Sequence, residues 1–343
     1  MEEMKNIDWK NLGFGYVKTD YNVRCYFRNG EWGKLEVSSD EYIPMHMAAS
    51  CLHYGQEAFE GMKAFRGKDG KVRLFRWEEN WKRLNSSADT IMLAPVPQDL
   101  FFQALETVIK MNAGFIPPYG TEGSLYLRPL LIGTGATVGV KPANEYLFLV
   151  FVTPVGPYFK EGFKPTNMQI ALDYDRAAPL GTGHVKVGGN YAASLRAGER
   201  AHAEGFSASI FADAKTKTYI DEAGPANFFG IKEGKYVTPD SGSILPSITN
   251  KSLTTIAADL GLVVEKRHIR LDEIGTFEEA GACGTAAVIS PIHMIQDRTT
   301  GKEYVISKDG KPGPWSTKMR ETLMGIQYGE IEDKYGWCTV IDC

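Results

Sequence analysis

The chain has 343 residues, 43% of them apolar and 23% charged, with a net charge of -4. That balance suits a globular protein of about two domains, and without a basic block neither nucleic acid nor an anionic membrane is the expected partner. No apolar run approaches the ~18 residues needed to span a bilayer.

Taken in order, the N-terminus MEEMKNIDWK is polar and acidic. It reads as neither signal nor transit peptide, so a cytoplasmic protein is expected. Gly13–Val17 and Val23–Phe27 read as strands, with Asn29-Gly30 as a turn. Residues 50–66 read as a helix from Gln56 running into a strand near Met62 to Phe65. Asp69-Gly70 marks a hairpin between Lys63–Arg66 and Val72–Phe75. In 77–92, Trp77, Trp81, Leu84, Ala88 and Ile91 recur at helical spacing, with Arg83 off that stripe and read locally as solvated. A second helix, about Asp99 to Asn112, carries Phe102, Leu105, Val108 and Ile109 on one face.

Ser124–Ile132 reads as a strand with Tyr126 and Arg128 on the same face. The glycine-rich stretch Gly133–Gly139 is followed by Lys141-Pro142 and a strand over 146–153, not by a helix. A dinucleotide site needs strand, glycine turn and helix together, so this stretch reads as a flexible loop that lines a substrate. The Pro- and Gly-rich segment 152–165 is the best boundary, which gives domains 1–155 and 167–343 joined by 156–166.

Beyond it, strands are expected at 168–172, 209–212, 218–221, 227–231, 236–238, 263–267, 280–283 and 286–289, and helices at 247–260 and 316–328. Strict βαβ alternation is missing, so the fold class is α+β. The five cysteines are scattered without a Cys-x-x-Cys pair, and the six histidines show no ligand spacing. Neither a disulfide framework nor a bound metal is expected.

Four weak signals fit one ligand. In His184–Tyr191, Lys186 lies between two valines and before Gly188-Gly189. As a strand this would send the amine to the face opposite the valines, with Asn190 capping the helix Tyr191–Glu204. Locally an exposed lysine is the ordinary reading. Tyr219–Gly224 places a carboxylate before a glycine turn, and Leu245–Thr249 opens a helix with hydroxyls and free N–H groups suited to phosphate. Cys283–Ala287 is a small-residue turn with further donors. Taken one at a time, these read as an acidic turn, an N-cap and a tight turn. Together they meet the needs of pyridoxal 5'-phosphate: an amine for the aldehyde, an acid for the ring nitrogen and donors for the phosphate.

At these residues, with Leu52–Gly55, Phe59–Phe65, Ser124–Pro129 and Gly284–Ala286, the chain resembles the branched-chain amino acid aminotransferases of fold type IV, from about Phe14 to Tyr328. The resemblance implies a small N-terminal α/β domain and a larger C-terminal pseudo-barrel. It implies a ping-pong transfer of the amino group from L-leucine, L-isoleucine or L-valine to 2-oxoglutarate. Lys186 would be the Schiff-base lysine and proton shuttle, Tyr191 the partner of the phenolic oxygen, and Glu222 the partner of the ring nitrogen. Arg83, Ile248, Thr249 and Thr285 would hold the phosphate. Thr285 and Ala286 would face the substrate α-carboxylate. Phe14, Tyr54, Tyr126, Tyr158 and the partner chain's Val138 and Val140 would form the apolar wall, with Arg128 for the second carboxylate of 2-oxoglutarate. A homodimer is implied, because the family's 133–140 loop reaches into its neighbour. Cys283 departs from the serine of many members, and Ala287 and Ser290 stand where some animal members carry a redox cysteine pair. D-amino acid aminotransferase and aminodeoxychorismate lyase share the lysine, glutamate and phosphate residues and stand as alternatives. A nucleotide-dependent oxidoreductase and a non-catalytic binding protein are remoter ones.

Overall fold

The computed structural model describes residues 4–158 and 162–343. Two compact units result. The first holds residues up to Tyr158 together with Val185–Gly188 and Gly325–Cys343, and the second holds the described residues between. The C-terminal segment therefore departs from the sequence boundary that assigned 167–343 to one domain. The cause is strand pairing: Cys338–Ile341 runs antiparallel to Val72–Phe75, completing an edge of the first sheet. Part of the expected linker 156–166 lies outside the described residues.

The first unit is a nine-stranded sheet whose centre pairs Ser124–Gly133 with Tyr146–Val155 along their full length. Asn29 and Gly30 both take positive φ, 55° and 87°, which is the two-residue turn that matches strand twist between Asn22–Arg28 and Glu31–Trp32. Helices Trp77–Thr90 and Gln98–Met111 bury Leu84, Ala88, Phe101, Leu105, Val108 and Ile109 in one core with Leu74, Leu127 and Phe148. In the second helix Phe101, not Phe102, is the fully buried ring. Gly13–Val17 forms no strand, and the 50–66 region starts with helix Ser50–Tyr54, not one from Gln56. Gly55 ends that helix at φ 61°, and Glu57–Phe59 and Met62–Arg66 follow as strands on Ser124–Gly133.

In the second unit, six strands close a ring. Ile220–Ala223, Ala208–Ala212, Thr166–Ala171, Val288–Asp297, Glu279–Gly284 and Ala226–Lys232 pair in turn, and the last returns to the first. This is the expected pseudo-barrel. Ile210, Phe228, Ala282, Ile292 and Ile295 pack into its core. Helix Ile248–Asp259 is capped by Ser247, whose Oγ accepts the Asn250 N–H at 3.2 Å. Among the described residues no helix is long and apolar enough to cross a membrane, and no cluster of three metal-ligating side chains occurs.

Candidate active site

Lys186 does not lie in a strand. His184 is in a turn, Val185 is in a bend, Val187 N–H donates back to Val185 C=O at 3.1 Å, and helix Gly188–Ala203 begins at once. The alternation inferred from sequence still holds, with Val185 and Val187 buried and Lys186 between them half-buried. Two backbone bonds replace a strand partner. Lys186 N–H donates to Ser87 Oγ at 3.1 Å, and Phe59 N–H donates to Lys186 C=O at 3.1 Å. The amine stands 4.8 Å from the Phe59 ring centroid, and the Arg128 guanidinium stands 4.8 Å from the same centroid. Gly188 N–H donates to the Glu57 carboxylate. Burial pushes the Glu57 carboxyl upward, opposed by that N–H and by the Arg128 charge.

Arg83 is not solvated. It is 9% exposed, and its Nε and Nη2 donate to Glu60 Oε1 at 2.8 Å and Oε2 at 2.7 Å. Asn80 Nδ2 reaches the same Oε2 at 2.7 Å. Asn80, Arg83 and Ser87 form a second inward stripe on helix Trp77–Thr90, beside the apolar one. Sequence reasoning missed Glu60, Asn80 and Ser87. For Asn80 and Ser87 the available signal was the 80, 83, 87 spacing they share with Arg83, which is as helical as that of the apolar set.

Tyr126 and Arg128 share a face as expected, and Arg128 Nη2 donates to Tyr126 Oη at 3.1 Å. Phe14 packs edge-on to Tyr126 at 5.3 Å and to Tyr158 at 5.7 Å, which brings three of the expected wall residues together. Gly61 makes room for them, since a Cβ there would lie 2.1 Å from Tyr126 Oη. The glycine-rich loop is tethered. Thr134 N–H donates to Glu145 C=O at 2.9 Å, Thr137 N–H to Ala48 C=O at 2.9 Å, and Tyr54 Oη–H to Val138 C=O. It presents Val138 at 87% and Val140 at 86% exposure.

In the second unit, Asn190 does not cap the helix; it lies inside it, buried, accepting from Thr182 Oγ1 at 2.8 Å and donating to Thr182 C=O at 2.6 Å. Tyr191 is half-buried one residue on. Glu222, on strand Ile220–Ala223, is 2% exposed, and its Oε1 accepts the Leu245 N–H at 2.7 Å. Ile248 and Thr249 are buried in the first turn of their helix. Beneath them Asn250 accepts from Tyr236 Oη at 2.8 Å and donates to Asn227 Oδ1 at 3.1 Å and Thr238 Oγ1 at 2.9 Å. Thr285 and Ala286 sit half-buried in the turn joining Glu279–Gly284 to Val288–Asp297. That turn closes on Val288 at φ 64°, a strained conformation for a β-branched residue. Burial drives the Cys283 thiol far above its ordinary range, so it is an inert core group.

The amino-transferase class IV family model matches residues 57–295. The branched-chain-amino-acid aminotransferase of Haemophilus influenzae is 47% identical over 99% of this chain and 100% of its own length. That of Helicobacter pylori is 47% identical, covering 98% of each. Among solved structures, the Escherichia coli branched-chain amino acid aminotransferase superposes with a TM-score of 0.80 at 28% identity, covering 95% of this chain and 100% of that one. The T.th. enzyme, solved with pyridoxamine 5'-phosphate, gives 0.80 at 26% identity with the same coverage. With two relatives at that identity over nearly the whole chain, and a family model spanning most of it, the chain belongs to the class IV aminotransferases, among the branched-chain-amino-acid aminotransferases.

Proposed function

We propose that the chain moves the amino group of L-leucine, L-isoleucine or L-valine to 2-oxoglutarate, yielding the branched-chain 2-oxo acid and L-glutamate, with Lys186 as the catalytic amine. The observation that carries this is the Phe59 ring shared at 4.8 Å by Lys186 Nζ and the Arg128 guanidinium. An amine able to take and return the proton at substrate Cα is thereby set beside an arginine suited to a second carboxylate. Phe14, Tyr126 and Tyr158 give the branched side chains an apolar wall. The buried Arg128 Nε makes no hydrogen bond, and the Tyr126 hydroxyl is at hand. Without such donors, burying the second carboxylate of 2-oxoglutarate would cost several kcal/mol, on the order of a lost charged hydrogen bond or more.

The residues present fit pyridoxal 5'-phosphate, the cofactor of the family. They supply a half-buried amine, a buried carboxylate, and a helix N-terminus of twelve residues with a buried threonine. When bound, that cofactor supplies the electron sink that loosens the bonds to substrate Cα. Lys186 holds its aldehyde carbon and shuttles the proton. Glu222 keeps the ring nitrogen protonated, and Tyr191 donates to the phenolic oxygen. Arg83, Ile248, Thr249 and Thr285 hold the phosphate, while Thr285 and Ala286 receive the substrate α-carboxylate. The chain works in the cytoplasm as a homodimer. The two exposed valines of the tethered loop support that reading, since burial against a second copy would remove them from water and complete the partner's apolar wall.

Lys186→Ala is expected to lose the visible absorbance of the holoenzyme and to cut transamination of L-leucine by roughly 10²- to 10⁴-fold or more. Full transamination by that variant would sink the assignment. A panel of L-leucine, D-alanine and aminodeoxychorismate separates this activity from those of the other fold-type-IV enzymes.

A further inference from the structure

Arg176 lies outside any helix or strand, yet its side chain is almost fully buried. Its Nη2 donates to Gly183 C=O at 3.0 Å and to Ser243 C=O, and stands 3.4 Å from Glu222 Oε1. Leu245 N–H meets the same Oε1 at 2.7 Å. Next in the strand, Asp221 accepts from Ser241 Oγ at 2.9 Å, and Ser241 Oγ in turn accepts the Ser243 N–H at 3.1 Å. Segment 241–245 is thus stitched to two consecutive buried acids, with a guanidinium on its own carbonyl. The Nε of Arg176 is buried without a hydrogen bond. Such an orphan costs on the order of 1–3 kcal/mol, a poor bargain for a residue that only fills space. It makes sense if the charge is what the site requires. Among the charged and titratable groups about Glu222 are Arg176, the adjacent Asp221, and the buried Cys283 thiol on strand Glu279–Gly284.

We propose that Arg176 is a positioning residue for Glu222, holding the carboxylate ionised and fixing Oε1 so that it stabilises the protonated ring nitrogen of the cofactor. This rests on the role given to Glu222 above. Without Arg176, Glu222 would lose a nearby counter-charge, and burial would favour a proton on its carboxylate.

The test uses infrared difference spectra of the full-length protein, recorded before cofactor is added, and then cofactor binding followed by tryptophan fluorescence. Arg176→Met is expected to show a protonated carboxyl band at neutral pH that the wild type lacks and that Arg176→Met/Glu222→Gln lacks too. It should bind pyridoxal 5'-phosphate about tenfold more weakly or worse, while Arg176→Lys restores most of both readouts. The proposal is overturned if Arg176→Met shows no new carboxyl band, if Arg176→Lys is as impaired as Arg176→Met, or if Arg176→Met does not fold, which would make Arg176 a structural residue. Glu222→Gln separates the two levels. Normal cofactor binding and turnover in that variant would refute the role of Glu222 itself, whereas an impaired Glu222→Gln beside an unaffected Arg176→Met would refute only the role of Arg176.

Discussion

Glu60 in the first unit and Glu222 in the second are both buried beside an arginine, but the two pairs are built in opposite senses. Glu60 grips Arg83 with both oxygens, at 2.8 and 2.7 Å, and takes Asn80 as well. There the carboxylate orients the arginine. Glu222 meets Arg176 only at 3.4 Å, and a backbone N–H at 2.7 Å meets the same oxygen. Here the arginine and the loop orient the carboxylate. In the first unit the group assigned to the ligand is the cation, and in the second it is the anion. In each case its partner is the residue that the sequence did not single out.

The largest expected effect tests the tighter pair. Glu60→Ala leaves the Arg83 guanidinium buried without its carboxylate, and should lower unfolding stability by about 3–5 kcal/mol. Glu222→Ala should cost clearly less, because its arginine keeps two carbonyl partners. Urea unfolding of both variants checks this, and equal losses would break the comparison.

A second measurement sharpens the other side. Tyr236 is fully buried, and its hydroxyl depends on Asn250. Asn250→Leu removes the acceptor of that hydroxyl and the donor to Asn227 Oδ1 and Thr238 Oγ1, although Asn227 and Thr238 keep the carbonyls of Leu245 and Phe228, and should cost roughly 2–3 kcal/mol. A loss below about 1 kcal/mol would mean that the floor under Ile248 and Thr249 repacks without difficulty.

Smaller still is Ser87→Ala. It removes the acceptor for Lys186 N–H at 3.1 Å, worth about 1 kcal/mol. The expected result is a fall of about fivefold in kcat with little change in KM, because the bond positions the lysine rather than the substrate. An unchanged kcat would show that Phe59 holds the segment alone.

The same contrast explains what the sequence made legible. Apolar periodicity found helices Trp77–Thr90, Gln98–Met111 and Ile248–Asp259, and Asn29-Gly30 marked a true hairpin. Periodicity failed where a residue is buried by charge. Arg83 lies off the apolar stripe, so hydrophobic spacing alone sends it to solvent, whereas Glu60, distant in sequence, draws it inward. Lys186 was found by its flanking valines and glycines, but its backbone is satisfied by Ser87 and Phe59 instead of by a strand ladder, and no local pattern encodes partners at that separation. Asn190 was misread for the same reason, since its side chain turns back to Thr182.

The smallest effect probes the acid beside Glu222. Burial pushes the Asp221 carboxyl above the usual carboxylate range; the Ser241 hydroxyl, Arg176 and His268 pull it down, and Asp213 adds to the rise. Between the ordinary carboxylate pKa and the raised one, the folded protein holds a proton that the unfolded chain has released. Stability contributed by this group therefore falls as pH rises through that window, and the loss persists above it. Asp221→Asn abolishes the titration while keeping an Oδ1 acceptor for Ser241. The stability of the variant minus that of the wild type should climb across the window and then level off, read from urea midpoints at a series of pH values. A flat or falling difference would mean that the positive charge of Arg176 outweighs burial at Asp221 and is not directed chiefly at Glu222.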